Sequence, residues 1–109
     1  MPTFSDFQQF DIRVGTIVKA EEFLQARRPA YKLWVDFGPT IGLKQSSAQI
    51  TNCYQLADLI NKQVLGVVNF PPMKIAGFSS EVLILGTYSQ PGVILITPDQ
   101  PAQNGDRLG

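Results

Sequence analysis

Asn69, Lys74 and Ser80 fall within one short run, Asn69-Phe70-Pro71-Pro72-Met73-Lys74-Ile75-Ala76-Gly77-Phe78-Ser79-Ser80-Glu81, which reads as a strand end, a rigid turn and a return strand. Asn69 offers an amide donor and acceptor, Lys74 a charge suited to phosphate, and Ser80 a hydroxyl at the base of the returning strand. The same run also reads as a proline-locked turn with a solvated lysine. A second set of residues suits a different ligand: Trp34, Phe70, Met73, Ile75 and Phe78 could line an adaptable apolar pocket for a peptide. Ordinary core burial competes with that role for Phe70, Ile75 and Phe78.

Other chemistries find little support. The chain has no His and a single Cys, which removes the commonest general base and any multi-cysteine zinc site or internal disulfide. Cys53 precedes apolar helical residues and reads as a small packed hydrophobe. Asp6, Asp11, Asp36, Asp58, Asp99 and Asp106 are scattered, with no HExxH, P-loop, GxSxG or paired-carboxylate spacing. The expectation is a protein that is not an enzyme and needs no metal or cofactor. Nine Lys and Arg balance nine Asp and Glu, so any nucleic-acid site must be a local patch, not a global positive field.

With 17% charged and 44% hydrophobic residues the chain is expected to fold as one domain, residues 1–109, with a core at about 10–97 and a tail at 98–109. The first ten residues lack the basic and apolar segments of a secretory signal, which points to the cytoplasm. Ser89-Gln90-Pro91-Gly92 interrupts the longest uncharged stretch, Val82 to Pro98, so it reads as a hairpin and not as a membrane span.

Eight Pro and nine Gly punctuate segments rich in β-branched and aromatic residues, so the fold class is all-β with one short helix. The first strand is predicted over Phe10–Ala20. There the apolar phase slips between Val14 and Ile17, suggesting a β-bulge at Gly15. Tyr31–Phe37 alternates, placing Tyr31, Leu33, Val35 and Phe37 on one face and Lys32, Trp34 and Asp36 on the other. Trp34 should therefore face solvent, a partner subunit, a peptide or a stacked base. A polar third strand is predicted over Ile41–Ile50, and a helix over Asn52–Ile60 capped by Thr51 or Asn52. A fourth strand covers Gln63–Phe70, and a last pair covers Glu81–Thr87 and Gly92–Thr97. Leu83 with Leu85 and Val82 with Ile84 cannot all enter one small barrel, which suggests that one face meets another subunit. The order β-β-β-α-β-β is that of an OB-fold barrel, with Arg27 and Arg28 in the loop that borders its ligand groove.

Asp11-Ile12-Arg13-Val14-Gly15-Thr16-Ile17-Val18, together with Asn69 to Ser80, resembles the tRNA-binding domain family. The segments Ile17 to Phe23, Lys44 to Thr51 and Ile60 to Val64 most resemble its export-related CsaA chaperone branch, and the tail with Pro98-Asp99-Gln100-Pro101 and Asn104-Gly105 fits as well. The resemblance runs from about Phe7 to Gly109. It implies a five-stranded OB-fold barrel with N- and C-terminal extensions, a two-fold homodimer, tRNA-type binding, and chaperone-like capture of unfolded or presecretory polypeptide near the export machinery. Transferred by position, Lys32, Ser46, Asn69, Lys74 and Ser80 would border the tRNA site. The sequence departs from the wider family pattern at Met73, Glu81 and Val82.

Neutralising about four phosphates per protomer would make binding roughly 150-fold weaker on raising salt from 50 to 200 mM. A neutral protein is thus expected to bind tRNA weakly, by shape more than by base. The alternative is a tRNA-binding accessory module without a chaperone role, and a third reading is a structural dimer whose RNA surface has decayed.

Overall fold

The computed structural model describes all 109 residues. Thr3 and Asp6 form a reciprocal capping box at the start of a short helix, α1 (Phe4–Gln8), which precedes the long first strand, β1 (Ile12–Glu22). Strand β2 (Tyr31–Asp36) follows, then a single helical turn, α2 (Gly38–Ile41), and strand β3 (Leu43–Ala48). A second single turn, α3 (Leu56–Leu59), leads to β4 (Gln63–Val67). The hairpin strands β5 (Met73–Ile75) and β6 (Phe78–Ser80), the short β7 (Leu83–Ile84), and a last hairpin, β8 (Gly86–Ser89) and β9 (Gly92–Leu95), complete the fold.

Five strands form one sheet in the order β3-β2-β1-β4-β7, and it curls into a nearly closed barrel of OB type. Where β3 meets the β6–β7 segment, closure relies on a few bonds and not on a regular ladder. The Glu81 amide donates to the Gln45 carbonyl (2.8 Å), the Ser47 amide to Ser80 Oγ (3.0 Å) and the Gln45 amide to Glu81 Oε1 (3.0 Å). The departures from the family at Glu81 and Val82 thus lie on this seam, where the Glu81 carboxylate is occupied by β3.

The inward face of β2 is as the alternation predicts: Tyr31, Leu33, Val35 and Phe37 are all buried, in one cluster with Ile17, Leu59 and Val64. Gly15 is not a bulge. Its strand keeps a regular alternation there, and a Cβ would lie 2.6 Å from Val35 Cγ1 and 2.8 Å from the Phe37 ring. The apparent phase slip marks a change in which face is covered. Ile12 and Val14 point outward into a second cluster with Leu65 and Val67, while Gly15 and Ile17 point into the barrel. The real bulge is at Val18: Ile17 pairs with Val35, but Lys19 pairs with Trp34.

That second cluster also corrects the two-sided reading of the last strands. Val82 is buried in the barrel and Ile84 packs against it, whereas Leu85, with Ile96 and Ala102, covers the outer cluster within the same chain. Leu83 alone of the four is exposed. The tail lies along the outer start of β1, where the Gly105 amide donates to the Val14 carbonyl and the Val14 amide to the Asp106 carbonyl.

The predicted helix over Asn52–Ile60 shrinks to Leu56–Leu59, with Gln55 and not Thr51 or Asn52 at its N-cap. Tertiary bonds account for this. The Tyr54 carbonyl accepts the Tyr31 hydroxyl at 2.7 Å and the Tyr54 hydroxyl accepts the Leu95 amide at 2.9 Å, so the carbonyl that a longer helix would use internally is already committed. The third strand is likewise shorter than predicted, because residues 38–41 coil into α2.

Candidate ligand-binding face

Three strands set the candidate face. Pairing of β1 with β2 and of β2 with β3 puts Lys19, Trp34 and Gln45 in one outward row and Glu21, Lys32 and Ser47 in the next. Two adjoining segments deliver aromatic rings to it: Phe23 follows β1, and Phe78 opens β6.

The Phe78 ring stands edge-on to both Trp34 (centroids 6.0 Å, 78°) and Phe23 (5.4 Å, 67°). Such pairs contribute about 0.5–1.5 kcal/mol each beyond area burial. Trp34 is further fixed by its indole N–H, which donates to Gln45 Oε1 at 3.2 Å, while the Gln45 side-chain amide donates to the Ser79 carbonyl at 2.8 Å. The hairpin β5–β6 is thereby tied to the barrel through the same side chain that orients the indole.

Two cations rest on these rings. Lys19 Nζ lies 4.7 Å from the centre of the Trp34 ring, and Lys32 Nζ lies 4.8 Å from that of Phe23 and 5.1 Å from that of Phe78. Each contact stabilises by about 0.5–1 kcal/mol at an exposed position. Lys19 also pairs with Glu21 at 3.2 Å, a solvated ion pair of little net strength. On the other side of buried Phe23, beneath the β1–β2 loop, a cleft of about 510 Å³ is lined by Leu24, Arg27, Pro29 and Tyr31 among others. Arg27 and Arg28 are both exposed.

The residues singled out in the sequence divide among several places. Lys32, Trp34 and Phe78 come together on this face. Lys74 is exposed, but it pairs with Ser79 on the opposite side of the hairpin from Ile75 and Phe78. Met73 is 65% exposed and Ile75 half-buried on the Phe78 side of the hairpin. Phe70 stands apart, edge-on to Phe10 at 5.9 Å. The Asn69 amide accepts the Asp11 N–H at 3.0 Å and donates to the Gln9 carbonyl at 2.9 Å, so it fastens the chain entering β1.

Ser46 has no access to a ligand. It is 0% exposed, and its hydroxyl is shared between the Val82 and Ser47 carbonyls, both at 3.0 Å, so it belongs to the barrel seam. Ser80 Oγ, half-buried, accepts from the same seam. Ser46→Ala should cost about 1–3 kcal/mol by leaving the Val82 carbonyl buried without its donor. Urea denaturation should register that loss, while ligand affinity of the folded variant stays at the parental value.

Lys19, Phe23 and Gln45 join this candidate face without having been legible there in the sequence. Strict alternation from Ile17 would turn Lys19 inward, and only the bulge at Val18 brings it outward beside Trp34. Phe23 and Gln45 are placed by tertiary contacts with no local signature.

Residues 12–107 match the family described as "Putative tRNA binding domain". The chain belongs to this family. Among solved structures it is similar to the CsaA chaperone protein from Picrophilus torridus (52% identity, TM-score 0.96, 100% of both chains). It is also similar to the chaperone CsaA from Bacillus anthracis (49% identity, TM-score 0.93, 100% of this chain and 99% of that one). A methionine-tRNA ligase from Methanococcoides burtonii is 35% identical over 104 residues, 94% of this chain but 15% of the ligase. The chain thus spans about 15% of the length of that curated relative. The family is a binding domain by its description, and no helix here is long and apolar enough to cross a membrane.

Proposed function

We propose that the protein is a CsaA-like chaperone, a cytoplasmic homodimer that holds unfolded or presecretory polypeptide and carries a tRNA-binding surface on the same outer face. The observation that carries this reading is the pair of half-exposed rings Trp34 and Phe78, backed by buried Phe23, with Lys19 and Lys32 resting on the cluster. Apolar rings beside cations suit both an unfolded chain and a nucleic-acid strand. The full-length similarity to two CsaA chaperones supports the polypeptide half, and the family match supports the tRNA half. Exposed Phe4, Phe7 and Leu83 supply apolar surface consistent with a dimer, to which the 98–109 tail would contribute.

Labelled bulk tRNA titrated at 50 and 200 mM salt, with and without an unfolded apolar peptide as competitor, tests the proposal. Contacts from Lys19, Lys32 and Arg27 to about three phosphates should weaken binding about 40-fold across that range. Displacement by the peptide is the expected result. Salt-sensitive binding indifferent to peptide would favour an accessory RNA module, a reading to which the similarity with methionine-tRNA ligases lends weight. No tRNA binding at 50 mM would overturn the RNA half.

A further inference from the structure

We infer that Lys19 is a displaceable cover on Trp34, and that the ligand which displaces it is an unpaired nucleotide whose base stacks on the indole while its phosphate takes up the released ammonium. This rests on the reading of the outer face as an RNA-binding surface and names what that surface recognises.

Three observations lead there. Trp34 is a prepared platform: the Phe78 edge, the Gln45 bond and its place in the β2 ladder hold the indole plane before any ligand arrives. An ammonium group, on a side chain 59% exposed, occupies the stacking position over that plane. It is held there by a cation–π contact and by one solvated bond to Glu21, both weak enough to be exchanged.

A ligand must therefore offer a flat surface to replace the lysine on the ring and a negative charge to receive it. A nucleotide has both, a few bonds apart. An aliphatic side chain of an unfolded polypeptide offers neither. Base pairs within a duplex are stacked on their neighbours and cannot lie on the indole, so the unpaired nucleotide is selected over the helix. Lys32, over Phe23 and Phe78, stands one outward row away and is positioned to meet an adjacent phosphate.

The chain has one tryptophan, so its fluorescence reports this position alone. Hexaadenylate should quench Trp34 saturably, and an RNA duplex of equal nucleotide content should not. In Lys19→Met, which keeps an apolar stem on the ring, the slope of log affinity for hexaadenylate against log salt should fall by about 0.7, the share of one phosphate contact on a single strand. Trp34→Leu should weaken hexaadenylate about 10-fold or more. Equal quenching by the duplex, hexaadenylate binding without quenching, or an unchanged slope in Lys19→Met would each overturn the inference. So would quenching by an unfolded apolar peptide but not by hexaadenylate, which would give the ring to polypeptide. Anisotropy of labelled tRNA, read in parallel, separates the two levels: tRNA that binds while Trp34 stays silent sinks this inference alone, and absent tRNA binding sinks the function on which it rests.

Discussion

Phe37→Ala should destabilise the fold by about 3–5 kcal/mol, a large share of what a domain of this size has to lose. Phe37 is 0% exposed, and its ring packs directly on Gly15 and Gly66. A Cβ at Gly15 would come within 2.8 Å of that ring and 2.6 Å of Val35 Cγ1, and one at Gly66 within 3.0 Å of the ring and 3.2 Å of Ile84 Cδ1. Two adjacent strands therefore lie close against one phenyl group, and deleting the ring leaves a cavity walled on that side by glycine backbone that cannot fill it. Partial collapse is the usual relief for such a cavity, and it is blocked here because β1 and β4 are held in register at Gly15–Val64 and Arg13–Gly66. Urea denaturation followed by Trp34 emission would give the loss directly. Gly15→Ala in the Phe37→Leu background should be milder than the sum of the two single changes, because the removed ring atoms relieve part of the crowding, while Val35 Cγ1, 2.6 Å from the added methyl, keeps the double change costly. A Phe37→Ala chain within about 1 kcal/mol of the parent would mean that the barrel repacks around the gap.

What the sequence reveals of this architecture follows from which interactions are local. Tyr31 to Phe37 is legible because a strand with one buried face must alternate, and the residues on it have no other way to satisfy that demand. The run Asn69 to Ser80 is only partly legible: it reads as a proline-locked turn with one return strand, whereas the chain forms a separate hairpin, β5–β6, that turns at Ala76–Gly77 and not at Pro71-Pro72. Nothing local announces that turn, because Ala76 takes a φ of +47° and Gly77 one of +82°, a left-handed pair for which asparagine is the usual first residue. The bulge at Val18 has no local signature, since it exists only as a mismatch in register between two strands. Its consequence for Lys19 was equally hidden. Ser46 shows the converse failure: in a polar strand a serine reads as surface, yet the barrel seam needs a hydroxyl there for the Val82 carbonyl. The outward placement of Lys32 and Trp34 follows from alternation within one strand. The bonds that join Gln45 to Trp34 and to the Ser79 carbonyl depend on how three segments meet, and no single stretch of sequence announces them.

Removing residues 104–109 should lower stability by about 3–4 kcal/mol, taking three backbone hydrogen bonds at roughly 1 kcal/mol apiece together with the side-chain bonds that accompany them. The three are the Gly105 amide to the Val14 carbonyl, the Val14 amide to the Asp106 carbonyl and the Leu108 amide to the Ile12 carbonyl, all at 2.8–2.9 Å. Asn104 Oδ1 also accepts the Thr16 hydroxyl at 2.8 Å, and the Arg13 guanidinium donates to the Gly105 carbonyl at 2.9 Å. The position of these bonds matters as much as their number. β2 pairs with β1 only from Thr16 onward, and β4 takes the other edge of residues 12–16, so the tail is what covers the first part of β1 on its free side. Without it, Ile12 and Val14 present an open strand edge, a template for pairing with another chain. Denaturation midpoints of full-length and truncated chains, at protein concentrations about 100-fold apart, distinguish two ways of making those bonds. Bonds made within one chain give a truncation loss independent of concentration. Bonds exchanged between protomers give a loss that grows with concentration, and sedimentation of the same samples would show the truncated chain failing to reach twice the chain mass. An unchanged midpoint at both concentrations would mean that the tail does not hold the β1 edge in solution, and the protection of Ile12 and Val14 would then have to come from a second subunit.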